Sequence, residues 1–145
     1  MWYHPSVPRA VLDTNVIVSA VRSARGASFR LLSLVGSGRF EIALSVALVL
    51  EYEDALMRLP ESRFDEEDLG AVLDYLCAVG HHQRIFYLWR PVLRDPADDM
   101  VLELAVASGS GTIVTFNERH FGGCETFGIR VATPQTFLAE IGESP

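Results

Sequence analysis

Short apolar runs that alternate with longer helical stretches constrain this chain more than any other feature of its sequence. Arg9-Ala-Val-Leu-Asp13 is an apolar run that ends on an acid, followed by a helical pattern from Thr14 to about Val21 and an Arg/Gly/Ser turn at Arg22–Gly26. A second helix is predicted from about Ala27 to Val35, closed by Gly36-Ser37-Gly38. Phe40-Glu-Ile-Ala-Leu44 reads as a strand, and Ser45 as the N-cap of a helix that Pro60 stops near Leu59. Asp65-Glu-Glu-Asp68 opens the next helix, because acids in a first turn complement its positive end. That helix carries Leu69, Val72, Leu73 and Leu76 on one face and ends near Gly80. Arg84-Ile-Phe-Tyr-Leu88 is a candidate third strand, and Arg94–Asp99 a turn into a helix over about Asp99–Ser108. Thr112–Thr115 reads as a buried strand, Ile129–Val131 as a short last one, and Pro134–Ile141 as a helix with Pro in its first turn. Strands alternating with helices in this way point to an α/β sandwich: a central, mostly parallel sheet flanked by helices.

The 145 residues fit one domain, spanning 1–145, and with 49% hydrophobic residues the chain can bury a substantial core. Apolar runs such as Val46–Leu50 fall far short of the roughly 20 residues that span a bilayer. The start, Met-Trp-Tyr-His-Pro, lacks the basic and apolar blocks of a secretory signal, so a cytoplasmic protein without membrane contact is expected. Cys77 and Cys124 have no CxxC spacing, which predicts two reduced thiols and excludes a cysteine-based zinc site.

A net charge of −7 argues against a generic nucleic-acid coat protein. Its distribution is more informative. Between Thr14 and Phe40 there is no acid but four arginines, Arg22, Arg25, Arg30 and Arg39; between Glu51 and Asp74 there are nine acids. All twelve Lys and Arg positions are arginine.

In parallel α/β sheets functional groups gather beyond the carboxyl ends of strands, and acids cluster at those places here. Asp13-Thr14-Asn15 closes the first strand, Asp95-Pro-Ala-Asp98-Asp99 opens a helix, and Thr115-Phe-Asn117 closes the strand after it. Glu51 lies six residues past the Ser45 cap in a mostly apolar helical segment. Each has a plainer explanation. Asp13 and Asp98 suit N-caps, Asp95 an Asx-Pro turn, and Glu51 a solvated helix position or a partner for Arg58. Taken together, converging carboxylates repel one another and hold protons more tightly unless a cation neutralises them. A hard divalent ion with oxygen ligands, Mg²⁺ or Mn²⁺, is the natural neutraliser.

The blocks Val-Leu-Asp13-Thr14-Asn15, Ser45-x5-Glu51-Tyr, Asp95-Pro-x-Asp98-Asp99-x2-Leu-Glu-Leu-Ala105 and Thr112-Ile-Val-Thr115-x-Asn117-x3-Phe121, in that order, resemble the PIN-domain family. The resemblance runs from about Arg9 to Pro134 and is closest to toxins of toxin–antitoxin pairs related to VapC. It implies an α/β, PIN-like (Rossmann-like) three-layer sandwich and a metal-dependent ribonuclease. Asp13, Glu51 and Asp98 match the family's metal-binding acidic triad; Asn15 and Thr115 match supporting polar positions. Asn117 stands at a further catalytic position where many members carry a fourth acid. Its amide offers an oxygen but neither charge nor basicity, and Asp99, next to Asp98, is a candidate to compensate. The resemblance also implies an RNA substrate, a cognate antitoxin and a homodimer.

Arg22 and Arg25, following the Asp13 segment, are candidates for holding RNA phosphates, against the alternative of a solvated face. His81-His82 is expected at a solvated helix end and His120 at the surface, while Trp2, Tyr3 and Trp89 are expected to pack rather than stack on bases. Receiver-like and haloacid-dehalogenase-like phosphotransfer domains use a lysine that this chain lacks. A degenerate PIN domain that binds RNA or protein without cutting is the other reading, which the amide at Asn117 keeps open.

Overall fold

The computed structural model describes residues 7–60, 64–85 and 92–143. Its elements are β1 (Arg9–Leu12), α1 (Thr14–Arg22), α2 (Ala27–Ser33), β2 (Glu41–Leu44), α3 (Val46–Met57), α4 (Glu66–Val79) and β3 (His81–His82). They continue with α5 (Pro96–Ser108), β4 (Thr112–Val114), 3₁₀ turns at Glu118–Phe121 and Cys124–Phe127, β5 (Arg130–Ala132) and α6 (Pro134–Glu140). The five strands lie in the order β3-β2-β1-β4-β5, and every pairing is parallel.

This order places α5 opposite the earlier helices. Right-handed crossovers carry α1 to α4 over one face as the chain steps from β1 to β2 to β3. The return from β3 to β4 moves the other way, so α5 packs on the opposite face, against β1, β2 and β4. The strands read as continuous apolar runs because both faces are covered: Ala10, Val11, Leu12, Ala43, Leu44, Ile113 and Val114 are fully buried. α2 packs against α6, and Phe40 meets Phe137 edge to face with ring centroids 5.4 Å apart.

Two segments differ from the sequence expectation. The third strand is His81–His82, paired to Ala43 and Leu44, rather than Arg84–Leu88; Arg84 and Ile85 are irregular, and the remaining residues of that candidate, with Trp2, Tyr3 and Trp89, lie outside the described residues. Gly80 explains the early start of β3. A Cβ there would come within 2.6 Å of Leu44 Cδ1 and 2.9 Å of the Leu76 carbonyl, so only glycine lets α4 run directly into the sheet. The second difference is α5, which begins at Pro96 rather than Asp99, because Asp95 caps it by accepting the Ala97 N–H at 2.8 Å.

Tyr52 is wholly buried in α3, and its hydroxyl donates to the carbonyl of Leu12, the last residue of β1. Tyr52→Phe keeps the ring and removes only that donor. It is expected to lower stability by about 1–3 kcal/mol, seen as a reduced denaturation midpoint with an unchanged denaturant slope.

Candidate active site

The strand order reverses beside β1, so the carboxyl ends of β1 and β4 flank a crevice at the edge where such sheets bind ligands. Asp13 and Thr115 leave the sheet side by side there. The Asp13 N–H donates to the Val114 carbonyl at 2.9 Å, and the Thr115 N–H to the Ala132 carbonyl at 2.9 Å. Asp13 is both cap and candidate ligand. Its Oδ1 accepts the Thr14 N–H at 2.9 Å, and its Oδ2 accepts the Thr115 hydroxyl at 2.8 Å and the Asn15 amide at 3.4 Å.

Thr115 is fully buried and uses its whole hydrogen-bonding capacity. Besides donating to Asp13, its oxygen accepts the Asn117 N–H at 3.0 Å and the Asn15 amide at 3.3 Å. The Asn15 carbonyl oxygen in turn accepts the Phe116 N–H at 3.3 Å. The loops after β1 and β4 are thereby joined through Asn15 and Thr115.

Glu51 and Asp98 face this junction from other elements. Burial raises the proton affinity of Asp13, opposed first by the Thr115 hydroxyl and then by the Thr14 amide. Burial and the charge of Asp13 do the same to Glu51, with further contributions from Asp95 and Asp98. Asp98, in the first turn of α5, is raised by burial, then Asp13, then Asp95, and His120 opposes the shift. The Thr14 hydroxyl favours the ionised form of Glu51, yet it is buried without a partner at ordinary hydrogen-bond distance. Arg58 pairs with Asp54 at 3.2 Å rather than with Glu51.

The remaining candidates are placed differently. Asp99 turns away from the crevice: its Oδ1 accepts the N–H groups of Val92 and Leu93 at 3.1 and 2.8 Å, so it anchors the preceding loop instead of adding charge beside Asp98. Asn117 is exposed next to Thr115, and its side-chain amide makes no hydrogen bond among the described residues. Arg22 ends α1, a helix of nine residues that leads away from Asp13, so it lies about 13 Å along the axis from the crevice. Arg25 lies in the turn that follows the helix. Both are exposed, and proximity in sequence is no proximity in space. Arg30 and Arg39 are held by Glu143 at 3.1 and 3.2 Å.

Two residues join the site that the sequence assigned elsewhere. His120 Nδ1 lies 3.3 Å from Asp98 Oδ2, so it belongs to the crevice rather than the general surface. Asp95, besides capping α5, raises the proton affinities of Asp13, Glu51 and Asp98. Its signal was the three-residue spacing to Asp98, which puts both on one side of a helix start. His81 and His82 lie in β3, where His82 Nε2 meets the Cys77 carbonyl at 2.6 Å. Both cysteines are free, and burial pushes the Cys124 thiol up to about 11.

The charged donors at the crevice are carboxylate oxygens, with the unpartnered Thr14 hydroxyl beside them, and oxygen donors suit Mg²⁺ or Mn²⁺. Among the described residues no group of three or more His, Cys, Asp or Glu side chains is drawn close enough together to hold a metal ion.

The fold and this crevice define a parallel α/β protein with a carboxylate site at its topological switch point. Residues 9–119 match the PIN domain family, and the chain belongs to that family. Its fold is similar to the crystal structure of VapBC2 from Rickettsia felis bound to a DNA fragment from their promoter, with TM-score 0.59 and 17% identity over 86% of this chain and 98% of that one. It is also similar to the crystal structure of FitAcB from Neisseria gonorrhoeae, with TM-score 0.54 and 17% identity over 86% of this chain and 97% of that one. Comparison with curated proteins gives no match. No helix among the described residues is long and apolar enough to cross a membrane.

Proposed function

We propose that this chain is a metal-dependent endoribonuclease, acting as the cytoplasmic toxin of a toxin–antitoxin pair. One observation carries the catalytic reading: carboxylates from three separate segments, Asp13, Glu51 and Asp98, share one crevice, where burial and then the charge of Asp13 raise the proton affinities of both Glu51 and Asp98. Such an arrangement costs stability unless a cation offsets it. Asp13, Glu51 and Asp98 would hold Mg²⁺ or Mn²⁺, with waters completing the shell. The bound ion supplies an activated water near neutral pH and neutralises charge on the phosphoryl oxygens. The chain's own part is to hold the carboxylates still: Thr115 and the Thr14 N–H fix both oxygens of Asp13, and His120 sits against Asp98.

The toxin reading draws support from the motif resemblance to VapC-related toxins and from the likeness of fold to VapBC2. A cognate antitoxin and a second copy of the chain are its partners in this reading. The test is cleavage of labelled RNA by the purified chain while Mg²⁺ or Mn²⁺ is titrated. Cleavage that rises with metal and stops with chelator is expected. RNA binding without cleavage at any metal concentration would overturn the reading in favour of a non-cleaving PIN domain.

The amide at Asn117 supplies a sharper measurement. Asn117→Asp adds a carboxylate at the exposed end of the loop after β4, and calorimetry should find Mn²⁺ binding tightened about tenfold, a gain of ~1.4 kcal/mol. An unchanged affinity would make residue 117 a substrate- or structure-facing position.

A further inference from the structure

Beside the carboxylates lies a cleft of about 810 Å³, within the roughly 300–1,000 Å³ of clefts that take a small-molecule ligand. Arg94, Asp95 and Asp98 line it from the start of α5, and Arg119 and His120 from the turn after β4. Both arginines are exposed, and neither has an ion pair among the described residues. Arg9, Arg30, Arg39, Arg58 and Arg130 are by contrast paired to carboxylates. Asp98 shares the cleft, yet its partner is His120 rather than either guanidinium. Two guanidiniums that line one cleft from separate segments, unpaired among the described residues, suit phosphate, which their planar donors grip in pairs.

A second feature, on the loop after β4 and outside the residues that line the cleft, concerns the bases. Phe116, between Thr115 and Asn117, is 48% exposed, and its backbone is tied by the bond to Asn15. An aromatic ring kept in water on a fixed loop can stack on any nucleobase, but only on one not already stacked within a helix.

We infer that the cleft between α5 and the turn after β4 holds single-stranded RNA, with phosphates on Arg94 and Arg119 and an unstacked base on Phe116. The inference rests on the ribonuclease reading for its choice of ligand, and binding tests it apart from cleavage.

The experiment measures binding of a short labelled RNA, single-stranded or as its duplex, to an Asp13→Asn protein at several salt concentrations. Adding Arg94→Ala with Arg119→Ala should weaken single-strand binding at least tenfold and flatten the logarithmic salt slope by about 1.4, which is two phosphate contacts. Phe116→Ala should weaken it roughly 5- to 150-fold with the slope unchanged. Arg22→Ala with Arg25→Ala should change neither, and the duplex should bind more weakly than the single strand. Thermal melts check that each surface variant is folded. The inference is overturned if the Arg22 and Arg25 pair carries the salt slope, if the cleft variants bind as before, or if the duplex binds equally well. Cleavage by the unsubstituted chain is scored alongside. RNA cut without dependence on the cleft arginines removes this inference alone, and RNA held in the cleft but never cut removes the ribonuclease reading alone.

Discussion

Asp13→Asn is expected to reduce metal-dependent RNA cleavage by roughly a thousandfold or more, because an ion that supplies several kcal/mol of transition-state stabilisation loses its most buried ligand. The same substitution should stabilise the metal-free fold at neutral pH. Asparagine keeps one oxygen for the Thr14 N–H and caps helices about as well as aspartate, so the start of α1 survives. Its NH2 gives up the bond from the Thr115 hydroxyl, a loss outweighed by removal of a buried charge beside Glu51 and Asp98. The pH dependence has a definite sign. Burial raises the proton affinity of Asp13 in the folded state, so between the unfolded and folded pKa values the native chain binds more protons. Stability then falls as pH rises through that window. The unsubstituted chain should therefore lose melting temperature, relative to Asp13→Asn, from about pH 4 upward. Added Mn²⁺ should restore it only in the unsubstituted chain. Cleavage at the normal rate by Asp13→Asn would end the proposed mechanism.

Thr115→Val should be the most damaging substitution that leaves every carboxylate in place. Valine matches threonine in shape, but its methyl group leaves Asp13 Oδ2 without its 2.8 Å donor and the Asn117 N–H without its acceptor. With buried polar groups stranded, the cost is about 3 kcal/mol, or roughly 10 °C in melting temperature for a domain of this size. Misorientation of Asp13 should cost a further 10- to 100-fold in cleavage. The lost hydroxyl also opposed the rise in the Asp13 proton affinity, so the acid limb of the pH–rate profile should move to higher pH. Thr115→Ser keeps the hydroxyl and should recover most of both effects. A valine variant with the original melting point and pH profile would remove Thr115 from the site.

Sequence periodicity resolved those parts of the molecule whose signal is local. The runs ending at Asp13, Leu44 and Thr115 are strands because both sheet faces are covered, which makes them apolar throughout. The cap at Ser45 was legible because its side chain bonds the N–H three residues on. The start of α4 was legible from its run of acids, although Asp65 stands as the cap before the first turn rather than in it. The misplaced features depend on contacts distant in sequence. β3 is two residues long and exists only by pairing with β2, so no hydrophobic pattern announces it. Asp98 and Asp99 look equivalent in sequence, and only the position of the loop at Val92 decides that one faces the crevice and the other turns from it. His120 reaches Asp98 across 22 positions of chain, and Arg22 is carried away from Asp13 by a helix whose direction follows from the sheet.

The neighbouring pair Asp98 and Asp99 gears the two halves of the site together. Asp98 faces the carboxylate crevice, while Asp99, one residue on, grips the backbone at Val92 and Leu93, both of which line the cleft. The two side chains share one helical turn, so a shift or rotation of the start of α5 cannot reach one without the other. The start of α5 thus carries one wall of the cleft and one carboxylate of the crevice on a single helical turn.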